Sequence, residues 1–441
     1  MSKSYFIENL GCAKNQVDAE VMIAVLDAAG WNRMSEPRDA SVIVVNTCGF
    51  IDPAKEESIN VTLSYRDTYP DAKIVMAGCL TQRYSEAIAA ELPETDGIFG
   101  NRAPEEIAGF LDGVTAGTRR VYVPERTGVY PYRTQRMSFP GSAFVKVSEG
   151  CRNRCSFCAI PLIRGGLHSR PIDGVVDEVR RLIGDGVFEI NLVAQDLSAF
   201  GLDRGRRDLL PLLERISALD GKFWIRLLYI YPESFPLDVL ELMSRDARFV
   251  PYFDIPFQHA SEPVLRRMGR PGSAEEYLRL IERIRLASPG SVIRTSLLVG
   301  FVGETDEDFA RLLEFQRQAE IDWLGTFTYS AEEGTPAYAA RDEAPPPELA
   351  VKRKEVIDAV QQDITARRLE TFVGRALDVL IEEPVEGEEL VLARAYAHAP
   401  EVDGAVVLHT GDRRAEFPPG SVVQGVITRR NGIDLEARPV P

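Results

Sequence analysis

The first 120 residues alternate short apolar runs with longer segments whose apolar residues recur at helical spacing. Val17–Ala29 has this helical spacing and stops at Gly30, so it predicts a helix. Three runs predict strands: Ser4–Glu8, Ser41–Val45 and Lys73–Ala77. Strands and helices in alternation favour a parallel sheet with helices on both faces. We therefore expect an N-terminal parallel α/β domain over residues 1–120, followed by a linker over residues 121–138 that is rich in proline, tyrosine and arginine.

The same alternation resumes with a longer period between about residues 140 and 340. Six runs predict strands: Ala143–Val147, Phe188–Val193, Trp224–Tyr229, Tyr252–Ile255, Val292–Val299 and Trp323–Tyr329. Four segments between them predict helices: Asp173–Ile183, Leu209–Leu219, Ala274–Ala287 and Glu307–Ala319. Six such units indicate a partial (β/α)6 barrel, whose chemistry we expect at the carboxyl ends of its strands.

After the barrel the pattern changes twice. Pro345–Pro347 interrupts the chain, and Glu348–Leu369 then predicts an amphipathic helix that packs back on the barrel, giving a second domain over residues 139–371. Four short runs predict strands beyond Gly374: Ala376–Ile381, Glu389–Ala393, Ala405–Leu408 and Ser421–Ile427. Residues 372–441 are therefore expected to form a small all-β barrel.

Composition and charge narrow the classes of function. The chain has 441 residues, is 45% hydrophobic and has no apolar run of the length that a membrane span needs. Glu8 and Asn9 interrupt the position where a signal peptide would be apolar, so we expect a cytoplasmic protein with no membrane partner. The formal net charge of −16 disfavours general binding to nucleic acids.

Three of the six cysteines, Cys151, Cys155 and Cys158, lie in one polar loop directly after the first predicted barrel strand. Three thiolates from one loop can bind three irons of a four-iron cluster and leave the fourth iron open. A zinc site completed by His168 and a set of three unligated thiols remain as alternatives.

Cys12, Cys48 and Cys79 each follow one of the first three predicted strands. Each has a neighbouring glycine and precedes a predicted helix, where backbone N–H groups favour a thiolate. Because the carboxyl ends of parallel strands lie along one edge of a sheet, the three thiols are expected to meet there. The alternative is that they are ordinary buried cysteines.

The central triplet, with Phe157 before its last cysteine, resembles the radical S-adenosylmethionine (SAM) signature. The whole chain, with its three-cysteine domain, radical SAM domain and small β-barrel that resembles a TRAM domain, resembles the methylthiotransferase family. Further matching motifs are Gly11–Asn15, Asn46–Phe50, Arg164–Gly165, Ser169–Pro171, Gln258–Ser261, Arg270–Gly272 and Val299–Thr305. Val302 and Phe257 depart from the family pattern, but both are apolar replacements.

The resemblance implies two 4Fe-4S clusters, one on each cysteine trio, and two SAM molecules. One SAM would methylate a sulfur bound at the N-terminal cluster, and the other would yield the radical that removes a hydrogen from the substrate. No catalytic residue beyond the cluster ligands is expected. Candidate SAM contacts are Phe157, Gln195, Asp196, Gly300, Gly303 and Glu304. For Gln195 and Asp196 the alternative is a helix N-cap or a loop hydrogen bond, and for His259 it is a structural hydrogen bond in place of a substrate contact.

Three motifs resemble the branch of the family that modifies an aspartate of protein twelve of the small ribosomal subunit: Cys48–Asp52, Gln258–Ser261 and Glu401–Val406. Residues 372–441 contain seven arginines, no lysine and twelve acidic residues, which favours a basic protein partner, free or on the ribosome, over direct RNA binding. The alternative is a solvated acidic barrel with no partner. The resemblance also implies an electron donor such as flavodoxin or ferredoxin. The alternatives are a tRNA adenosine methylthiotransferase and a non-catalytic iron–sulfur or zinc protein.

Overall fold

The computed structural model describes residues 3–125, 128 and 130–440. Three residues of the predicted linker, Arg126, Thr127 and Val129, lie outside the described residues. Within the described part, no helix is long and apolar enough to cross a membrane.

The N-terminal domain is a parallel sheet, as the alternation predicted. Its six strands, in their order across the sheet, are Asn32–Arg33, Ser4–Asn9, Val42–Thr47, Lys73–Gly78, Gly97–Gly100 and Arg120–Tyr122. Its α-helices are Ala13–Ala28, Asp52–Thr68, Cys79–Glu91 and Ile107–Thr115. The three strands predicted from the sequence are direct neighbours, with Asn9 opposite Asn46 and Thr47 opposite Gly78. Their carboxyl ends are therefore level along one edge.

The central domain is an open sheet of six parallel strands that follow one another in chain order. These strands are Ser142–Lys146, Glu189–Val193, Trp224–Leu227, Phe249–Asp254, Val292–Val299 and Trp323–Thr328. The helices of this domain are Ile160–Arg164, Ile172–Gly184, Leu209–Ser217, Leu237–Arg245, Glu262–Arg267, Ala274–Ala287 and Asp306–Ala319. Helices and one face of the sheet share the largest apolar core, so the predicted partial barrel is confirmed.

The C-terminal domain is a closed barrel of five antiparallel and parallel strands. They are Ala376–Pro384, Leu390–Ala395, Val406–His409, Val422–Asn431 and Asp434–Pro439. The last strand was not predicted, and it closes the barrel by pairing in parallel with Val406–His409. The long helix Pro347–Glu370 packs against the last strand of the central sheet, as expected.

The second face of the central sheet packs mainly against the C-terminal barrel. The indole Nε1 of Trp323 donates to the Ala397 carbonyl at 2.7 Å, and Arg226 donates to the Tyr396 carbonyl at 2.8 Å. The carboxylate of Glu189 is fully buried between the guanidinium groups of Arg226 and Arg394. The central and C-terminal domains thus share a continuous core and buried ion pairs.

Candidate functional site

Cys12, Cys48 and Cys79 lie at the carboxyl ends of three neighbouring strands, as the sequence predicted. Cys12 directly precedes the helix Ala13–Ala28, and Cys79 is the first residue of the helix Cys79–Glu91. Their exposure falls in sequence order: Cys12 is exposed, Cys48 is half-buried and Cys79 is buried. The trio therefore lines a site with one open side.

Glycines bring the three loops of this trio into close contact. A Cβ atom on Gly11 would lie 3.4 Å from the Cys48 sulfur, and one on Gly49 would lie 2.9 Å from the Cys79 carbonyl carbon. Gly78 has a φ of +104°, which side chains rarely adopt, and a Cβ there would lie 2.6 Å from the Thr47 carbonyl oxygen. The close approach of Cys48 to the other two loops thus depends on residues without a side chain.

The three thiols differ in their electrostatic surroundings. Protein atoms crowd Cys12 although solvent reaches it, and this desolvation would raise its pKa; Lys14 and Arg164 outweigh it, so the pKa of Cys12 lies below its ordinary value. Burial raises the pKa of Cys79 to about 12 against the opposing effect of Arg164. Burial also raises the pKa of Cys48. Cys12 raises the pKa of both Cys48 and Cys79, and Cys48 raises that of Cys79, so the three thiols lie within electrostatic range of one another.

The central trio lies in the loop after the first strand of the central sheet, before the helix Ile160–Arg164. The Cys158 backbone N–H donates to the Cys155 carbonyl at 3.1 Å, which makes the loop tight. The Cys155 sulfur lies 3.4 Å from the Tyr231 hydroxyl. Burial raises the pKa of Cys151 to about 11 and that of Cys158 to about 12.

Neighbouring segments fix the central loop from two sides. The Ser156 backbone N–H donates to the Met268 carbonyl at 2.8 Å, and the Ser156 hydroxyl donates to the Arg267 carbonyl at 2.7 Å. On the other side, the Asn153 amide donates to the Asp196 carboxylate at 2.8 Å. The loop is therefore held in place by protein contacts on both sides.

The carboxyl-terminal edges of the two parallel sheets face each other. Lys14, two residues after Cys12, places its Nζ 3.5 Å from the centre of the Tyr229 ring and 3.4 Å from the Ala194 carbonyl oxygen. Ala194 and Tyr229 follow two strands of the central sheet. In the opposite direction, Arg164 reaches from the central domain to the Cys79 sulfur at 3.2 Å. The segments that carry the two cysteine trios therefore approach each other across the domain boundary.

A buried ion network connects the same edges. Lys146 pairs with Asp18 and Glu149, and Arg164 pairs with the same two carboxylates at 3.0 Å each. All four side chains are at least 97% buried. Burial alone would raise the pKa of Glu149, but Arg164 and Lys146 hold it well below its usual range. Two cations and two anions thus compensate one another across the domain boundary.

The other residues singled out from the sequence have structural partners. Asp196 is the N-cap of the short helical turn Leu197–Ala199 and accepts from the Ser198 backbone N–H at 3.0 Å. The Gln195 amide donates to Glu149 at 3.1 Å. His259 is fully buried, and its Nδ1 accepts from the Ser261 backbone N–H at 3.0 Å. These contacts are those that the structural alternatives predicted; contacts of Gln195 and Asp196 with SAM and of His259 with the substrate remain predictions.

Phe157 and the Gly300–Glu304 segment lie together. The rings of Phe157 and Phe301 are 6.2 Å apart and meet edge to face. Glu304 accepts from the Phe301 backbone N–H at 2.9 Å and pairs with Arg353 of the long helix at the same distance. Gly300 and Gly303 both have positive φ values, of 73° and 69°. Their role in SAM binding also stays a prediction.

The sequence analysis assigned no role to three of the groups that surround the N-terminal trio. Asn101, which follows the fifth strand of the sheet, donates to the Cys79 sulfur at 3.3 Å. Asn15 donates to the Thr47 carbonyl at 2.9 Å and accepts from Arg164 at 2.7 Å. Asn15 and Arg164 fall within two of the motifs that match the family, Gly11–Asn15 and Arg164–Gly165, whereas the only signal for Asn101 was its position after the fifth strand.

The donor set of each trio fits an iron–sulfur cluster. Among the residues that the structure describes, no three side chains of His, Cys, Asp or Glu are grouped to hold a single metal ion. A four-iron cluster makes a different demand, because each iron takes its own thiolate and the ligands stand apart around a larger body. Three cysteines on glycine-flanked loops around an open space meet that demand.

Comparisons with known proteins agree with this arrangement. Residues 4–100 match the Uncharacterized protein family UPF0004, residues 145–315 match the Radical SAM superfamily, and residues 373–440 match the TRAM domain. The fold resembles that of the radical S-adenosylmethionine methyltransferase TsrM from Kitasatospora setae, with a TM-score of 0.57, 16% identity and coverage of 76% of this chain and 77% of that chain.

The fold and the central cysteine loop thus define a radical SAM protein. Curated relatives identify the family within this class. The chain is 44% identical to the ribosomal protein uS12 methylthiotransferase RimO of Treponema denticola, over 97% of this chain and 98% of the relative. It is 41% identical to that of Myxococcus xanthus, over 99% and 92%. The chain belongs to the RimO family.

Proposed function

We propose that this protein is a radical SAM methylthiotransferase that inserts a methylthio group at the β-carbon of an aspartate in ribosomal protein uS12. One observation carries the proposal: the two cysteine trios lie at the carboxyl ends of two parallel sheets, and Lys14 and Arg164, each close in sequence to one trio, cross the boundary between the two domains. A transfer between two bound groups requires that they stand close together in a fixed orientation. Membership of the RimO family supplies the substrate class.

We assign one 4Fe-4S cluster to each trio, with Cys12, Cys48 and Cys79 as ligands of the first and Cys151, Cys155 and Cys158 as ligands of the second. When bound, the clusters and two SAM molecules supply the methylated sulfur and the radical that cleaves an unactivated C–H bond, which acid–base side chains alone could not do.

The protein's own residues orient these groups and limit the access of water. The ring of Tyr229 covers the ammonium of Lys14, and the ion network around Arg164 closes the buried side of the space. Hydrogen bonds from Asn153 and Ser156 to neighbouring segments hold the central loop in place. The ring of Phe157 packs edge to face on the fully buried ring of Phe301, which fixes the Phe157 backbone that we assign to the adenine contact.

The charge of the C-terminal barrel supports a basic protein as substrate. Its first two strands are joined by a hairpin that presents four exposed glutamates, Glu383, Glu386, Glu388 and Glu389. Arg414 donates to the carbonyls of Val385 and Glu388 and so pins the hairpin without neutralising those carboxylates. Ribosomal proteins are basic, and a cytoplasmic site of action follows from such a substrate.

Mass spectrometry of small-subunit proteins from a strain that lacks this gene tests the proposal. We expect uS12 to lose its methylthio group and to regain it when the gene is restored. Methylthio-adenosine in tRNA from the same strain is the control and should stay at its normal level. A uS12 that keeps the modification would refute the proposal, and a loss confined to tRNA would assign the protein to the tRNA branch.

Alanine variants of the two trios test the assignment of the clusters. After anaerobic reconstitution, Cys12→Ala, Cys48→Ala or Cys79→Ala should abolish sulfur insertion but leave reductive cleavage of SAM to 5′-deoxyadenosine. Cys151→Ala, Cys155→Ala or Cys158→Ala should abolish both, because the open iron that binds SAM would be lost. Chromatography of the nucleoside products separates the two groups, and a variant of the first group that still inserts sulfur would contradict the assignment.

A further inference from the structure

Cys79 is the buried member of the N-terminal trio, and it receives side-chain N–H donors from two different domains. Asn101, in its own domain, donates from Nδ2 at 3.3 Å to the sulfur. Arg164, in the central domain, donates from Nη2 at 3.2 Å. Asn101 and Arg164 are themselves buried, with exposures of 4% and 2%. Solvent therefore competes little for these contacts.

The guanidinium of Arg164 is oriented by groups on both of its terminal nitrogens. Nη1 donates to Asp18 and Glu149 at 3.0 Å each. Nη2 donates to the Asn15 Oδ1 at 2.7 Å and to the Cys79 sulfur. A planar guanidinium can satisfy four such partners at once, whereas an ammonium cannot. The orientation of the donor toward sulfur is thus imposed by three oxygen atoms that surround it.

The charge of Arg164 is compensated locally, so the contact with sulfur acts mainly as a hydrogen bond. Lys146 shares both carboxylates with Arg164, and the four groups together carry no net charge. Hydrogen bonds to the sulfurs of an iron–sulfur cluster stabilise its reduced state, because reduction adds negative charge to the cluster.

We infer that Arg164 and Asn101 are positioning residues that raise the reduction potential of the iron–sulfur cluster held by Cys12, Cys48 and Cys79. This inference rests on the proposed function, which assigns a cluster to that trio. Because Arg164 lies on the helix that follows Cys158, the same side chain also fixes the N-terminal cluster relative to the central loop.

The test uses the full chain with Cys151, Cys155 and Cys158 replaced by alanine, so that only the N-terminal trio can hold a cluster. In this background we would prepare Arg164→Lys, Arg164→Gln and Asn101→Ala and reconstitute each protein anaerobically with iron and sulfide. Redox titrations followed by electron paramagnetic resonance give the midpoint potentials. The control is Arg133→Lys, since Arg133 is equally buried and pairs across the same domains with Glu20 and Glu178.

We expect all three variants to shift the midpoint potential to more negative values. Arg164→Gln should shift it furthest, because it loses both the positive charge and the planar set of guanidinium N–H donors. Arg133→Lys should keep the parent potential. Should the Arg164 variants fail to fold, Asn101→Ala decides alone, because its amide lies outside the ion network. Unchanged potentials in the variants that fold would overturn the inference and leave the proposed function standing. A parent protein that binds no iron would overturn both.

Discussion

Two of the four histidines are buried where a charge could not be accommodated. His398, in the C-terminal barrel, is fully buried beside the Trp323 ring and faces the cations Arg394 and Arg226. Burial, followed by these two cations, lowers the pKa of His398 to about 3. His259 in the central domain has its pKa lowered to about 3 as well, mainly by burial. Both rings are therefore neutral in the folded protein at physiological pH.

His398 predicts a loss of stability in mild acid. Its folded-state pKa lies below the unfolded value of about 6.5, so the unfolded state takes up the proton first and the stabilising contribution is lost as the pH falls below about 6.5. Between pH 7 and pH 5 the loss amounts to about 2 kcal/mol for this one group. His398→Phe should flatten the pH dependence of the free energy of unfolding over this range, measured by urea unfolding. His259 contributes equally to both proteins, and an equally steep dependence in the variant would contradict the prediction.

At the scale of elements, the N-terminal site is made by strand ends that lie unusually close together. Neighbouring parallel strands bring Cys48 and Cys79 to the same edge, but the loops that follow them can touch only because glycines occupy the contacts. Gly78 combines a positive φ with three atoms of Asn46 and Thr47 within 2.8 Å of the position that a Cβ would take. The backbone conformation of Gly78 therefore sets the position of Cys79, the first residue of the following helix, relative to the loop that contains Cys48.

Gly78→Ala tests this alignment. The strained φ and the contact with backbone should destabilise the N-terminal domain by about 1–3 kcal/mol and displace Cys79. We expect the reconstituted variant to lose the iron of the N-terminal trio and to keep that of the central trio, as measured by iron analysis and SAM cleavage. Gly109→Ala is the control, since no atom lies within 4 Å of its Cβ position and alanine favours the helix it occupies. Full iron content in Gly78→Ala would count against the alignment.

The elements that the sequence predicted well are those with strong periodicity. The six barrel strands and the helix Ala274–Ala287 are found where the apolar pattern placed them. The strand Asp434–Pro439 was missed because it has few apolar residues; it forms a hairpin with the preceding strand Val422–Asn431 and also pairs with the more distant Val406–His409. The same limit applies to the site: six cysteines could be placed from local order along the chain, whereas the contacts of Cys79 with Asn101 and Arg164 join residues far apart in sequence.

At the scale of the whole molecule, the C-terminal barrel is an integral part of the central domain. Arg394 of the barrel pairs with Glu189 of the central sheet at 2.6 Å, and both side chains are almost fully buried. Burial alone would raise the pKa of Glu189, but Arg394 and Arg226 hold it well below its ordinary range. Tyr252 of the sheet donates to Asp403 of the barrel at 2.6 Å. The Glu401–Val406 motif thus lies partly within a domain interface.

Arg394→Met should destabilise the protein strongly. It leaves the buried carboxylate of Glu189 with one cation fewer, and breaking a buried pair in this way costs about 3–5 kcal/mol. The midpoint of urea unfolding, followed by tryptophan fluorescence, should fall accordingly, because Trp224 and Trp323 lie in this interface. Arg429→Met is the matched control: Arg429 also pairs with a glutamate of the barrel, Glu436, but its side chain is 67% exposed. Equal midpoints for the two variants would refute the interpretation.

The packing of the last domain against the central sheet has a consequence for biosynthesis. One face of that sheet, with Trp224, Tyr252 and Trp323, is covered by residues that are translated last. While the chain is being made, the carboxylate of Glu189 has Ser142 and Arg226 as partners but lacks Arg394. We expect the central domain to complete its folding only after the barrel strands have left the ribosome tunnel. Stable assembly of the central site is thereby coupled to the completion of translation, so truncated chains are expected to be removed as unfolded protein.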